Sequence, residues 1–201
     1  MLIQPPVYAH FHNDVLLNGR HLAYAPLEFT GDGYRFNEKT FEAAIRPNTK
    51  IFILSHPHNP TGNVWSEDEL RTMGEICARN GILVISDEIH EDLILNPQKK
   101  HIPFASLGEE FAQNSITCTA PSKTFNLPGL QSANVSFRTS GFGKSCAANT
   151  SATSSNWSTC WGWSRPKRHT RMASRGSRRC STISGPITRI LPKRSTKPIR
   201  A

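Results

Sequence analysis

"IFILSHPHNPTGNVWSEDELRTMGEICARNGILVIS", residues 51–86, decides the fold class. Its first four residues, "IFIL", form a short apolar run that suits a buried strand. "HPHNPTG" (56–62) is a cluster of turn formers. Ser66 and Glu69 then match a capping box, and Glu67 and Asp68 favour the positive end of a helix. Leu70, Met73, Ile76 and Cys77 recur at helical spacing, and Gly81 is placed to end that helix. "ILVIS" (82–86) reads as a second buried strand. Strand, helix and strand in this order predict parallel pairing, with ligands beyond the carboxyl ends of the strands.

Further along, "SITCTA" (115–120) reads as a third strand, followed by "PSKTFNLPGL", in which Lys123 is the only charge. The fold class expected is α/β, a mostly parallel sheet between helices. Four polar groups fall at or just past the strand ends. Asn59 follows the first strand, Asp87 the second with His90 three residues on, and Lys123 the third. Taken singly, each has an ordinary explanation as a turn, a cap or a surface residue. Together they suit pyridoxal phosphate. A lysine amine can condense with its aldehyde, a carboxylate can keep its ring nitrogen protonated, and an amide can donate to its ring hydroxyl. The uncharged neighbours of Lys123 predict a low-polarity setting that favours the neutral amine.

The last third differs. All fifteen acidic residues lie before Ser136, while fourteen of the twenty-four Lys and Arg lie after it, so the net charge of +9 comes entirely from the tail. Residues 136–201 are rich in Ser, Arg and Thr and have no amphipathic stripe. They read as a low-complexity, disordered or irregular basic tail, and residues 1–135 as the folded part. A basic nucleic-acid-binding protein is one explanation, with Trp157, Trp161 and Trp163 available for base stacking. A frameshift near residue 136 is the favoured one. Read one base back, the coding text can yield a continuous stretch of mixed charge with apolar residues at helical spacing. The tail is then out of frame, and no nucleic-acid partner is expected.

Five cysteines form no CxxC pair, which argues against a zinc knuckle or a disulfide framework. No apolar run is long enough to cross a bilayer, so no membrane partner and a cytoplasmic location are expected. His56 and His58 flank a proline-rich turn with no acid or cysteine beside them in sequence, and no metal site is expected there. His10 and His12 read as surface residues.

The run from His56 through Val135, with "HPHNPTG", "SDEIHEDLI" and "PSKTFNLPGLQSANV", resembles the aspartate-aminotransferase superfamily of fold-type I pyridoxal-phosphate enzymes. Within it, the run is similar to the cystathionine β-lyase branch of C–S lyases. The resemblance covers about residues 1–135 and implies a partial large, cofactor-binding domain. It implies a C–S β-lyase acting on cystathionine or cysteine S-conjugates, with aminotransferase as the alternative, and a homodimer in the intact family protein. Carried over by position, Lys123 is the Schiff-base lysine and moves the Cα proton, Asp87 pairs with the ring nitrogen, and Asn59 bonds the ring hydroxyl. His90 stands where many relatives have a tyrosine contacting that oxygen. Tyr8 matches the aromatic residue that stacks on the ring, and Ser122 a phosphate contact. Gln131 stands where many members have a phosphate-binding arginine, a departure from the pattern. The phosphate loop before Tyr8 and the small domain with the substrate arginine have no counterpart in the text. The chain is accordingly expected to be inactive as a fragment.

Overall fold

A computed structural model describes residues 1–130 and 132–138. The expectations for Gln131 and for residues 139–201 lie outside the described residues. The elements run β1 (Leu2–Ile3), α1 (Ala9–Leu17), β2 (Ala23–Tyr24), β3 (Glu28–Phe29), β4 (Tyr34–Arg35), α2 (Glu38–Ala43), β5 (Ile51–Ser55) and α3 (Glu67–Arg79). They continue with β6 (Leu83–Asp87), α4 (Glu109–Gln113), β7 (Ser115–Thr119), α5 (Pro121–Thr124) and β8 (Asn134–Phe137).

Six strands form one sheet in the order β2-β1-β5-β6-β7-β8. Every neighbouring pair is parallel except β7 with β8. β3 and β4 form a separate antiparallel hairpin. The three strands expected from the sequence pair as expected, each within a residue of its predicted limits. β8 runs across the 135/136 boundary that composition suggested. The order of strands reverses between β1 and β5, because β2 lies on one side of β1 and β6 and β7 continue on the other. A reversal of this kind opens a crevice at the carboxyl ends of the strands.

α3 begins where its capping box predicts. The Glu69 amide donates to Ser66 Oγ at 3.2 Å, and the Ser66 amide donates to Glu69 Oε2 at 2.8 Å. It ends at Asn80, and Gly81 follows with φ +61°, a conformation that costs a residue with a side chain about 1 kcal/mol or more. The face carrying Leu70, Met73, Ile76 and Cys77 packs on Leu2, Phe52, Leu54 and Val84 of the sheet, with Phe104 and Phe111 closing the same core. The alternate strand residues Ile3 and Ile53 point to the other face, where Val15 of α1 covers them. This alternation follows from the period of two along a strand.

Gly74 faces this core. A Cβ at that position would run into the Phe111 ring and come within 3.0 Å of Phe104. Alanine gains about 1 kcal/mol of helix propensity over glycine, but overpacking a filled core costs about 1–3 kcal/mol. Gly74→Ala should therefore lower the urea-unfolding midpoint despite the better helix former. An unchanged or raised midpoint would mean that α3 and α4 can part without cost.

Candidate active site

The parallel register brings the candidate residues to one edge. Ser55 lies opposite Asp87, and Asp87 opposite Cys118. The ladder continues one step past the strands, where the His56 amide donates to the Asp87 carbonyl at 2.9 Å and the Glu88 amide to the Cys118 carbonyl at 2.8 Å. The segments leaving β1, β5 and β6 at this edge carry Tyr8, Asn59 and His90 in loops, and α5 after β7 carries Lys123.

Asp87 is the last residue of β6, and its Oδ1 accepts the Ile89 amide at 3.2 Å. Burial pushes its carboxyl above the ordinary aspartate range, while that amide and the nearby His90 pull it back only in part. Burial lowers the pKa of the half-buried His90. The Asp87 carboxylate opposes this shift and the Lys123 ammonium adds to it. His90 therefore senses both Asp87 and Lys123 electrostatically. Asn59 and His90 line a cleft of about 440 Å³ with His58, Leu93 and Lys99. The Asn59 amide N–H donates to Ser55 Oγ at 3.1 Å, which fixes its loop to the end of β5.

Three expected residues sit less tightly. Tyr8, the residue before α1, is 43% exposed, and its ring leans on His10 and Phe11 rather than on Asp87 or His90. Ser122 is half-buried on α5. Lys123 is exposed, contrary to the low-polarity setting its uncharged neighbours predicted. Residues next to it in sequence flank the single turn of α5 without enclosing the side chain. Of the N-terminal histidines, His10 is exposed, while His12 is half-buried and stacks on Tyr24.

A buried polar cluster that the sequence did not reveal supports this edge. Glu88 is fully buried and accepts hydrogen bonds from Ser86 Oγ (2.8 Å), the Phe104 amide (3.0 Å) and His101 Nε2 (2.8 Å). Burial pushes its carboxyl up, but these donors outweigh burial and hold it below the ordinary glutamate range. The His56 ring lies 4.3 Å from that of His101, and its Nε2 donates to the Ile102 carbonyl at 2.8 Å. A carbonyl only accepts, so Nε2 carries the proton, and the partnerless Nδ1 is a bare lone pair. His58 donates likewise to the Pro6 carbonyl at 3.0 Å, tying the β1 exit to the Asn59 loop. Glu88, Glu91 and His101 place ligand atoms within 4.8 Å of one another, as a cation would need. Both Glu88 oxygens already accept hydrogen bonds, however, so that carboxylate is satisfied without a cation.

A lysine, a half-buried carboxylate, an imidazole and an amide, gathered at the carboxyl edge of a mostly parallel sheet beside a reversal of strand order, define an α/β enzyme-type domain with a strand-end site. The chain belongs to the aminotransferase class I and II family, whose model matches residues 1–158. It is 46% identical over 134 residues to the cystathionine β-lyase PatB of Bacillus subtilis, covering 66% of this chain and 34% of that protein. Among solved structures it is similar to the pyridoxal-phosphate-bound C–S lyase of Staphylococcus hominis, with TM-score 0.75 and 27% identity over 96% of this chain and 49% of that one. Cystalysin from Treponema denticola, which contains pyridoxal 5'-phosphate, gives TM-score 0.73 and 28% identity over 92% and 44%. The chain spans about a third of the length of the curated relatives it matches.

The buried histidines give the fold a pH dependence with a definite sign. Burial, aided by His101, lowers the His56 pKa to about 4 from 6.5, and burial lowers that of His58 as well. Between these values the unfolded chain takes up protons that the fold refuses, so stability is lost as pH falls from about 6.5 towards 4, by at most about 1.4 kcal/mol per pH unit per group. Asp87, shifted upward, acts in the opposite direction as pH falls through its raised carboxyl pKa. Urea midpoints measured between pH 7 and 4.5 should therefore drop on acidification, and His56→Gln should flatten the slope. A wild-type slope retained in that variant would remove His56 from the account.

Proposed function

We propose that this chain carries the cofactor-binding part of a pyridoxal-phosphate-dependent C–S β-lyase, acting on cystathionine or a related cysteine S-conjugate. The observation that carries the reading is Asp87. A carboxylate raised by burial at a strand end, with His90 close enough to influence it and Lys123 acting on that histidine, is a group that gains from a cationic partner such as a protonated ring nitrogen. The residues therefore fit the cofactor, which when bound supplies an aldehyde for the substrate amine and a ring that takes up the electrons left at Cα.

In this reading Asp87 holds the ring nitrogen, Asn59 and His90 hydrogen-bond the ring hydroxyl oxygen, Tyr8 packs against the ring, and the Ser122 hydroxyl takes a phosphate oxygen. Lys123 has two tasks. Its amine anchors the cofactor, and once displaced by the substrate amine it accepts the Cα proton. The Cβ–S bond then breaks with its electrons on sulfur, which leaves as a thiol after protonation. The remaining three-carbon fragment takes up water, giving pyruvate and ammonia. The same Cα proton transfer would begin an amino-group transfer, so the lyase assignment rests on the likeness to PatB and to the C–S lyases. A homodimer and a cytoplasmic location belong to the same proposal.

The test uses the protein expressed from the gene re-sequenced through codon 136, at the length that frame encodes. It should release pyruvate from cystathionine, and Lys123→Ala should reduce release by about a thousandfold or more, because anchor and base are lost together. Amino-group transfer in excess of pyruvate release would favour the aminotransferase reading instead.

A further inference from the structure

Lys123 rides on α5, a single helical turn of four residues. One turn gains almost nothing from helix cooperativity, so its place must be set by tertiary contacts. The bonds within it, Phe125 amide to Pro121 carbonyl at 2.9 Å and Leu127 amide to Ser122 carbonyl at 3.0 Å, fix its shape and not its position. Thr124, the residue after the lysine, is 8% exposed, and its Oγ1 donates to Asp92 Oδ2 at 3.0 Å across 32 residues of sequence. Among the described residues this is the one side-chain hydrogen bond from α5 to the loop that leaves β6. That loop is itself pinned to the strand end by two successive turns, the Glu91 amide donating to the Glu88 carbonyl at 3.0 Å and the Leu93 amide to the His90 carbonyl at 2.9 Å. Asp92 is thus held in fixed relation to Asp87 and His90.

We propose that Thr124 and Asp92 are a positioning pair for Lys123, their hydroxyl-to-carboxylate bond setting where its amine stands relative to Asp87 and His90. The inference rests on the reading above, that Lys123 condenses with the cofactor. Neither residue touches the reacting atoms. The hydroxyl satisfies one oxygen of an exposed carboxylate from a buried position, so the threonine's place is specified from the side of the fold and transmitted one residue back to the lysine. Serine keeps the hydroxyl and valine keeps the shape, so the pair of substitutions separates hydrogen bonding from packing.

The experiment treats the full 201-residue chain with pyridoxal phosphate, reduces with borohydride, and maps the label by peptide mass. Wild type should carry several-fold more label on Lys123 than on Lys99 or Lys100, and Thr124→Ser should match it. Thr124→Val and Asp92→Ala should each bring Lys123 down to the level of Lys99, a loss on the order of several-fold to tenfold. Asp92 is exposed, so its variant reports even if the valine variant fails to fold. Undiminished preference for Lys123 in Asp92→Ala, or in folded Thr124→Val, overturns the pairing and leaves the cofactor reading intact. A wild-type chain with no preference for Lys123 overturns both.

Discussion

The site depends on the parallel register of β5, β6 and β7. Ser55, Asp87 and Cys118 stand side by side, so the loops that follow begin level with one another and project from the same edge. In an antiparallel arrangement the neighbouring strand would deliver its loop to the opposite edge, and Asn59, Asp87 and Lys123 could not converge. The capping box of α3 and the left-handed Gly81 matter because they time the return of the chain to β6. A slip of one residue would turn Asp87 to the other face of the sheet and bring Ser86 or Glu88 in its place.

Just past the strand ends that register is held by buried polar groups. Glu88 is an ionisable group with no access to water, and it is tolerable there because three donors converge on it. The three donors come from β6 itself, from the loop at His101 and from the turn at Phe104, so satisfying the charge also fixes the backbone immediately after Asp87. His56 and His58 do the equivalent for the loop after β5, by donating to carbonyls 46 and 52 residues away in sequence. Removing one partner would leave another buried and unpaired, at a cost of about 1–3 kcal/mol and more where a charge is involved.

The β5–α3–β6 unit was legible in the sequence because every signal in it is local: a run of apolar residues, a cap, a helical period and a terminating glycine. The order of Asn59, Asp87, His90 and Lys123 was legible for the same reason, since each follows a readable strand. β1 and β2 were not, because two residues carry no periodicity, and their place in the sheet depends on pairing with each other and with Phe52. The surroundings of Lys123 were misread. Uncharged neighbours in sequence say nothing about what packs on a side chain, and the lysine is exposed. His56 looked ordinary because the groups around it, Glu88 just past β6 and His101 in a later loop, come beside it only in the fold. Asp92 and Thr124 carry no sequence signal, being an exposed acid and a threonine in a turn.

The central claim is that Asp87 is kept in a half-buried, charge-averse setting in order to receive a cationic ring nitrogen. Its titration can be followed directly by carbon NMR of the labelled aspartate carboxyl, first in the chain alone and then with saturating pyridoxal phosphate. The account predicts a pKa above the ordinary aspartate range in the free chain and a marked fall when the cofactor is added, because a neighbouring positive charge favours the carboxylate. An Asp87 titration that the cofactor leaves unmoved would contradict it.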